Sequence, residues 1–369
     1  MTRSCFTVLV GVAVLAVQAA AAPPGDEPRA TLTAAASGKA GAPAETAADR
    51  PGLELGDYPR AANAVVDGDT IKVVGLSESL RLLGVDAEET FKNEADRSAA
   101  KAGFAAYLKA KRGSSSRPVK MATPMGEAAK EFAKRFFAGV TSVRLERDHP
   151  QEIRDRYGRY LSYVLVKKGD LWSNYNVECV RAGLSPYFVK YGNSRRYHDA
   201  FVKAQEEARA AHRGIWDETA EHYPDYDERL SWWRARAEFV AAFDEAAAAD
   251  AGHINLARAD AATLLAAQVG KKTAVLGGVA AIRDTGKGVV LVLLGRSRGA
   301  DFPLVFFKKE VLAATGIEAA KDELLVARGK VSVYHSKVKD TDELQIVIDD
   351  AAQVTTTAAA GRPGASPRR

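Results

Sequence analysis

Asn63-Ala64-Val65-Val66-Asp67-Gly68-Asp69-Thr70-Ile71-Lys72-Val73-Val74, followed by Leu80-Arg81-Leu82-Leu83-Gly84-Val85-Asp86, is the stretch that decides the fold. An Asp-Gly pair between β-branched runs marks a tight turn between two strands. Leu80–Val85 alternates in the same way and reads as a third strand. Working outward, residues 126–138 have helical spacing, with Phe132 and Phe136 on one face. Val143–Glu146 and Tyr160–Val166 return to strand texture, and residues 195–212 form a helix that stops near Gly214. The segment is mainly β with α (α+β).

The polar residues on this framework carry the chemistry. Asp67 and Asp69 flank the turn glycine, Asp86 ends a strand, and Glu89 lies three residues on. Carboxylates on tight turns at strand ends can converge, and oxygen-rich clusters suit a hard cation such as calcium. Arg81 stands inside an apolar strand and needs a partner there. Arg159 follows Arg156-Tyr157-Gly158 at the head of another strand. Singly, these residues read as solvated acids and structural salt bridges. Together they are the parts phosphoryl transfer uses: a metal, forked guanidiniums, and a carboxylate that activates water.

Val66-Asp67-Gly68-Asp69-Thr70, then Arg81 through Thr90, then Asp155-Arg156-Tyr157-Gly158-Arg159 resemble, in that order and spacing, the thermonuclease (staphylococcal nuclease-like) family. Gly214-Ile215-Trp216 looks like the end of the same domain. The resemblance implies an OB-like five-stranded barrel that cleaves DNA and RNA with little sequence preference and leaves 3′-phosphate ends. It implies calcium (Ca2+) held by the carboxylates of Asp69 and Asp86 and the carbonyl of Ala87. Arg81 and Arg159 would stabilise the transition state, Glu89 would be the general base, and Arg156 and Tyr157 would lie beside the bound phosphate.

Two features depart from the family pattern. The base is usually preceded by proline, but here the run is Asp86-Ala87-Glu88-Glu89, so Glu88 competes for the role of base. Residues 91–124 form an insertion with Lys92, Arg97, Lys101, Lys109, Lys111, Arg112, Arg117 and Lys120 against Glu94 and Asp96. It reads either as a basic flap over a nucleic-acid backbone or as a helical insertion with a solvated charged face.

The rest of the chain sets the context. Met1-Thr2-Arg3, the apolar run Cys5–Ala22 and the small residues Ala19–Ala21 form a signal-peptide pattern over 1–21, with an uncleaved anchor as the alternative. Export to the periplasm or medium is expected, with no stable membrane association after cleavage. Residues 22–58 read as a disordered linker, 59–218 as the nuclease-like domain and 219–265 as a helical linker that includes an amphipathic helix over 226–249. Residues 266–354 hold five strand candidates with one helix after the third, the order of a second OB-like barrel. This unit resembles OB-type nucleic-acid-binding domains, with Arg296, Arg298, Phe306, Lys308 and Tyr334 as contact candidates. Residues 355–369 read as a tail.

Composition adds exclusions. Once Cys5 leaves with the signal, Cys179 is alone, so neither an intrachain disulfide nor a cysteine zinc site can form. The six histidines have no metal-ligand spacing. A net charge of +5 is a mild bias towards acidic partners. The expected partner is nucleic acid. The reading of a different class is a catalytically weak or inactive barrel that only binds nucleic acid, and Glu88 is its main support.

Overall fold

The computed structural model describes residues 46–295, 301–319, 323–336 and 340–357. The first unit is a barrel of five strands: β1 (Glu54–Val65), β2 (Thr70–Val73), β3 (Leu80–Leu82), β4 (Ser142–Glu146) and β5 (Tyr160–Lys168). The order is β3-β2-β1-β4-β5, and parallel pairing of β3 with β5 closes it. The Asp-Gly turn joins β1 to β2 as the β-branched flanks demand, with Val66 N–H donating to the Thr70 carbonyl at 3.1 Å. Ile71, Leu80, Leu82, Val143, Leu145 and Val164 point inward and are buried.

Helices lie on this barrel. The insertion folds into α1 (Glu94–Ala102) and α2 (Phe104–Arg112), separated at Gly103. Asn93 caps α1 by accepting from Asp96 N–H. Next come α3 (Pro124–Phe136), capped by Thr123 with Pro124 in the first turn, then β6 (Leu171–Asn174), α4 (Tyr175–Arg181) and α5 (His198–Ala210). Buried Asn176 ties α4 to the barrel: its amide donates to the carbonyls of Leu83 and Ser162 and accepts from Val164 N–H. The unit ends where Ile215 N–H donates to the Gly183 carbonyl at 2.8 Å. Gly183 and Gly214 both have positive φ, and a Cβ on either would meet the backbone of the other segment.

α6 (Tyr226–Ala249) is a 24-residue spine. One end buries Tyr226 and Trp233 against the first unit, where Trp233 meets Phe188 edge-on at 4.7 Å. The other end sets Val240 and Phe243 against Ala274, Leu276, Leu324 and Val326 of the second unit. That unit contains β7 (His253–Asn255), α7 (Ala261–Ala266), β8 (Lys272–Asp284), β9 (Val290–Gly295), β10 (Phe302–Phe306), α8 (Lys309–Thr315), β11 (Leu324–Ser336), β12 (Thr341–Val347) and β13 (Val354–Thr356). Its sheet runs β13-β11-β12-β10-β9-β8-β7, and β11 also pairs with β8.

The linker boundary moves. Residues 46–58, read from composition as the end of a disordered stretch, belong to the fold. Buried Arg147 draws them in by donating to the carbonyls of Ala48, Arg50 and Gly52, and Asp49 accepts from Arg154 and Tyr160. The tail boundary moves too, because Val354–Thr356 is a strand and Thr357 donates to buried Glu323. The signal segment 1–21, the linker up to 45, Arg296, Arg298 and the tail from 358 lie outside the described residues.

His149 lies on the seam between the units, where Ala259 N–H donates to the Gln151 carbonyl at 2.7 Å. Burial, with Arg195 and Arg258 nearby, depresses its pKa to about 4. The unfolded imidazole binds its proton near pH 6.5, while the folded one refuses it until about pH 4. His149 therefore supports the fold fully above pH 6.5 and loses that support as pH falls towards 4. Urea midpoints of wild type and His149→Gln, compared from pH 7 to pH 4, are expected to show a shallower acid decline in the variant.

Candidate active site

Strand pairing brings the acidic turns and the buried arginine together. Thr70 is the register partner of Arg81, so Asp69 sits at the mouth of the β2–β3 pair. Arg81 projects between buried Leu80 and Leu82 and is forked between two carboxylates. One guanidinium nitrogen bonds Asp69, and the other donates to Asp86 Oδ1 at 2.6 Å. Phe188 covers the guanidinium, 5.4 Å from its ring centroid. Burial opposes the charge on Arg81, but Asp69 and Asp86 outweigh it and hold the guanidinium firmly protonated. Burial likewise opposes the Asp69 carboxylate, and Arg81 and Lys120 bring its pKa down to about 2.

The loop after β3 separates the two glutamates. Asp86 is fixed by its N–H, which donates to Ser185 Oγ at 2.8 Å. Glu88 turns inward and is 1% exposed. It accepts from Thr123 Oγ1, from Tyr223 N–H and from Tyr226 O–H, the last two at 2.7 Å. Burial raises its pKa despite these donors. Glu88 is thus an interior anchor and no competitor at the cleft. Glu89 turns the other way, with its side chain 35% exposed and Oε1 3.6 Å from Lys120 Nζ. Its carbonyl accepts from Thr123 N–H. Gly126 at the start of α3 lets that backbone approach closely.

Lys120 completes the cluster. Its Nζ donates to Asp86 Oδ1 at 2.7 Å. Partial desolvation works against this ammonium, but Asp86 and Asp69 raise its pKa above the usual lysine range. Nothing in the sequence marked Lys120 as different from the other basic residues of the insertion. Its partner is 34 residues away, and only the folded insertion brings them together.

Arg159 stands one residue before Tyr160, the register partner of Leu80, and so flanks β3. Its guanidinium is held by Asp155, with Nε at 2.8 Å and Nη2 at 2.7 Å, rather than by the Asp69–Asp86 cluster. Tyr157 is 68% exposed on the same turn. Arg156 reaches towards the second unit, where a Cβ on Gly295 would lie 3.4 Å from its Nη1. Exposed Tyr191 meets Phe188, the ring over Arg81, edge-on at 5.9 Å.

The donor set fits a hard divalent cation in kind. Asp69 and Asp86 offer carboxylate oxygens from rigid turns, and Ala87 follows with its carbonyl. Asp67 shows that the corner carries excess negative charge: burial, then Asp69 and Glu89, push its pKa up to about 6. Among the described residues, however, no three acidic, histidine or cysteine side chains form a ready metal cage. Arg81 and Lys120 bridge the carboxylates instead.

Comparison with known proteins agrees with this fold. A family model described as staphylococcal nuclease homologue matches residues 79–218. The thermonuclease of Staphylococcus intermedius is 31% identical over 155 residues, 42% of this chain and 73% of that protein. The thermonuclease of Staphylococcus hyicus is 31% identical over 154 residues, 41% of this chain and 72% of that protein. An uncharacterized protein of Methanocaldococcus jannaschii is 28% identical over 155 residues, 42% of this chain and 69% of its own length. A thermonuclease matched at this level over most of its length, together with the closed five-stranded barrel, makes this chain a member of the staphylococcal nuclease homologue family.

Proposed function

We propose that the chain is an exported nuclease that hydrolyses phosphodiester bonds of DNA, RNA or both, with calcium held by Asp69, Asp86 and the Ala87 carbonyl. The observation that carries this reading is the meeting of Asp69, Arg81 and Asp86 in one cluster with Glu89 at its rim, while Glu88 is committed to the interior. Glu89 takes a proton from the attacking water. The water oxygen bonds to phosphorus, the bond to the 5′ oxygen breaks, that oxygen takes a proton from solvent to leave as a hydroxyl, and the phosphate stays on the 3′ side. Arg159 donates forked N–H groups, and Arg81 the N–H groups that its bonds to Asp69 and Asp86 leave over, to the non-bridging oxygens, where negative charge grows. For this Arg159 exchanges Asp155 for phosphate, an exchange its 31% exposed side chain allows. A bound divalent cation supplies charge neutralisation at the phosphate. Tyr157 and Arg156 line the approach from the β5 side. The N-terminal signal pattern supports delivery outside the cytoplasm.

The test is digestion of single- and double-stranded DNA and of RNA, with calcium and with chelator, by wild type, Glu89→Gln and Glu88→Gln. Glu89→Gln is expected to lower kcat by about 10²–10⁴-fold, the usual contribution of a general base. Glu88→Gln keeps an oxygen to accept from Tyr223 N–H and Tyr226 O–H, its NH2 can donate to Thr123 Oγ1 once that hydroxyl turns, and it is expected to cleave at a rate near wild type. Strand binding without cleavage by wild type would establish instead a nucleic-acid-binding module on an inactive barrel.

A further inference from the structure

The candidate site already holds a cation of its own. Resting on the calcium reading above, we propose that Lys120 is a tethered counter-ion that competes with the divalent metal for Asp86, so that the insertion sets the metal affinity of the site. Asp86 Oδ1 accepts from both Arg81 and Lys120, so this oxygen has no capacity left for a metal while Lys120 is seated. The charges point the same way. Asp67, Asp69, Asp86 and Glu89 bring negative charge to this corner, and Arg81 and Lys120 bring two positive charges against it. Removing Lys120 adds one unit to the net negative charge that a metal meets.

The position of Lys120 is built into the fold. Val119 carbonyl accepts from Arg229 Nη2 at 2.6 Å. Met121 N–H donates to Tyr223 Oη at 2.9 Å, and that hydroxyl donates back to the Met121 carbonyl at 2.6 Å. Upstream, Arg117 Nη2 is 2.7 Å from Glu323, a 2% exposed carboxylate of the second unit. The backbone on both sides of Lys120 is therefore fixed by contacts that begin outside the 79–218 match. A metal that takes Asp86 Oδ1 displaces the lysine side chain while its backbone stays in place.

Isothermal titration of the metal-free full chain with calcium chloride, at fixed ionic strength, tests this without measuring cleavage. Wild type, Lys120→Gln, Lys120→Arg and Arg117→Gln would be titrated, and the calcium-induced rise in Tm recorded for each. Lys120→Gln is expected to bind calcium about tenfold more tightly than wild type, since one like charge a few ångströms from the metal is gone. Lys120→Arg keeps the charge and is expected to stay weak, and Arg117→Gln, which loosens the tether but keeps the lysine, to fall between. Unchanged or weaker calcium binding by a folded Lys120→Gln protein overturns the inference and leaves the calcium site standing. Absence of calcium binding by all four proteins removes the calcium reading and the inference with it.

Discussion

Arg81→Met is expected to lose about 3–5 kcal/mol of folding stability and to cleave about 10²–10³-fold more slowly. Methionine preserves most of the packing between Leu80 and Leu82 but leaves Asp69 and Asp86, 6% and 7% exposed, without the guanidinium that bridges them. Breaking one side of a buried ion pair costs far more than the intact pair contributes, because the charges left behind stay desolvated. The pH dependence identifies the cause. Asp69 has its folded pKa held near 2 by Arg81 and Lys120 against burial. Its stabilising contribution is present above the ordinary carboxylate range and is lost as pH falls through about 2. The stability gap between wild type and Arg81→Met should therefore be widest near neutral pH and close as pH drops from about 4 towards 2. Urea unfolding followed by circular dichroism reads this gap directly. A gap that does not change with pH would mean that packing, and not the carboxylates, depends on Arg81.

Gly126→Ala is expected to cut kcat by about 100-fold with calcium binding retained, and to destabilise the protein by about 1–3 kcal/mol. A Cβ at residue 126 would come within 2.7 Å of the Glu88 carbonyl oxygen and closer still to that of Glu89. These are backbone atoms, with no flexible side chain to move aside. The loop has to shift, and Glu89 shifts with it, while Asp86, earlier on the same loop, is held by Ser185 and Arg81, and Asp69 sits on a separate turn. A displacement of about 1 Å in a general base can cost two orders of magnitude. Steady-state kinetics beside calcium titration would separate this outcome from a general loss of fold, which would lower both together.

How far these residues could be read in the sequence depended on how local their signals are. The Asp-Gly turn, the strand alternation around Arg81 and the spacing of α3 and α6 are set by near neighbours, and the structure places elements there. Arg81 was legible as a residue in need of partners because it interrupts an apolar strand. Glu88 was not, because a loop has no periodicity to say which of two adjacent acids turns inward. Its partners are 35, 135 and 138 residues away. Lys120 and Glu323 were hidden for the same reason. Residues 46–58 misled in the opposite direction: their composition is that of a linker, and Arg147 holds them from nearly a hundred residues away.

The two tyrosines that hold Glu88 lie beyond the segment that defines the family. Cutting this chain at residue 218 would strand a desolvated carboxylate next to the candidate base, with two of its three donors left on the discarded piece. Cutting later, inside α6, would uncover the apolar patch where Val240 and Phe243 meet the second unit. The barrel is therefore not an exchangeable cassette. An insertion, deletion or fusion between residues 219 and 249 would disturb the loop that carries Glu88 and Glu89.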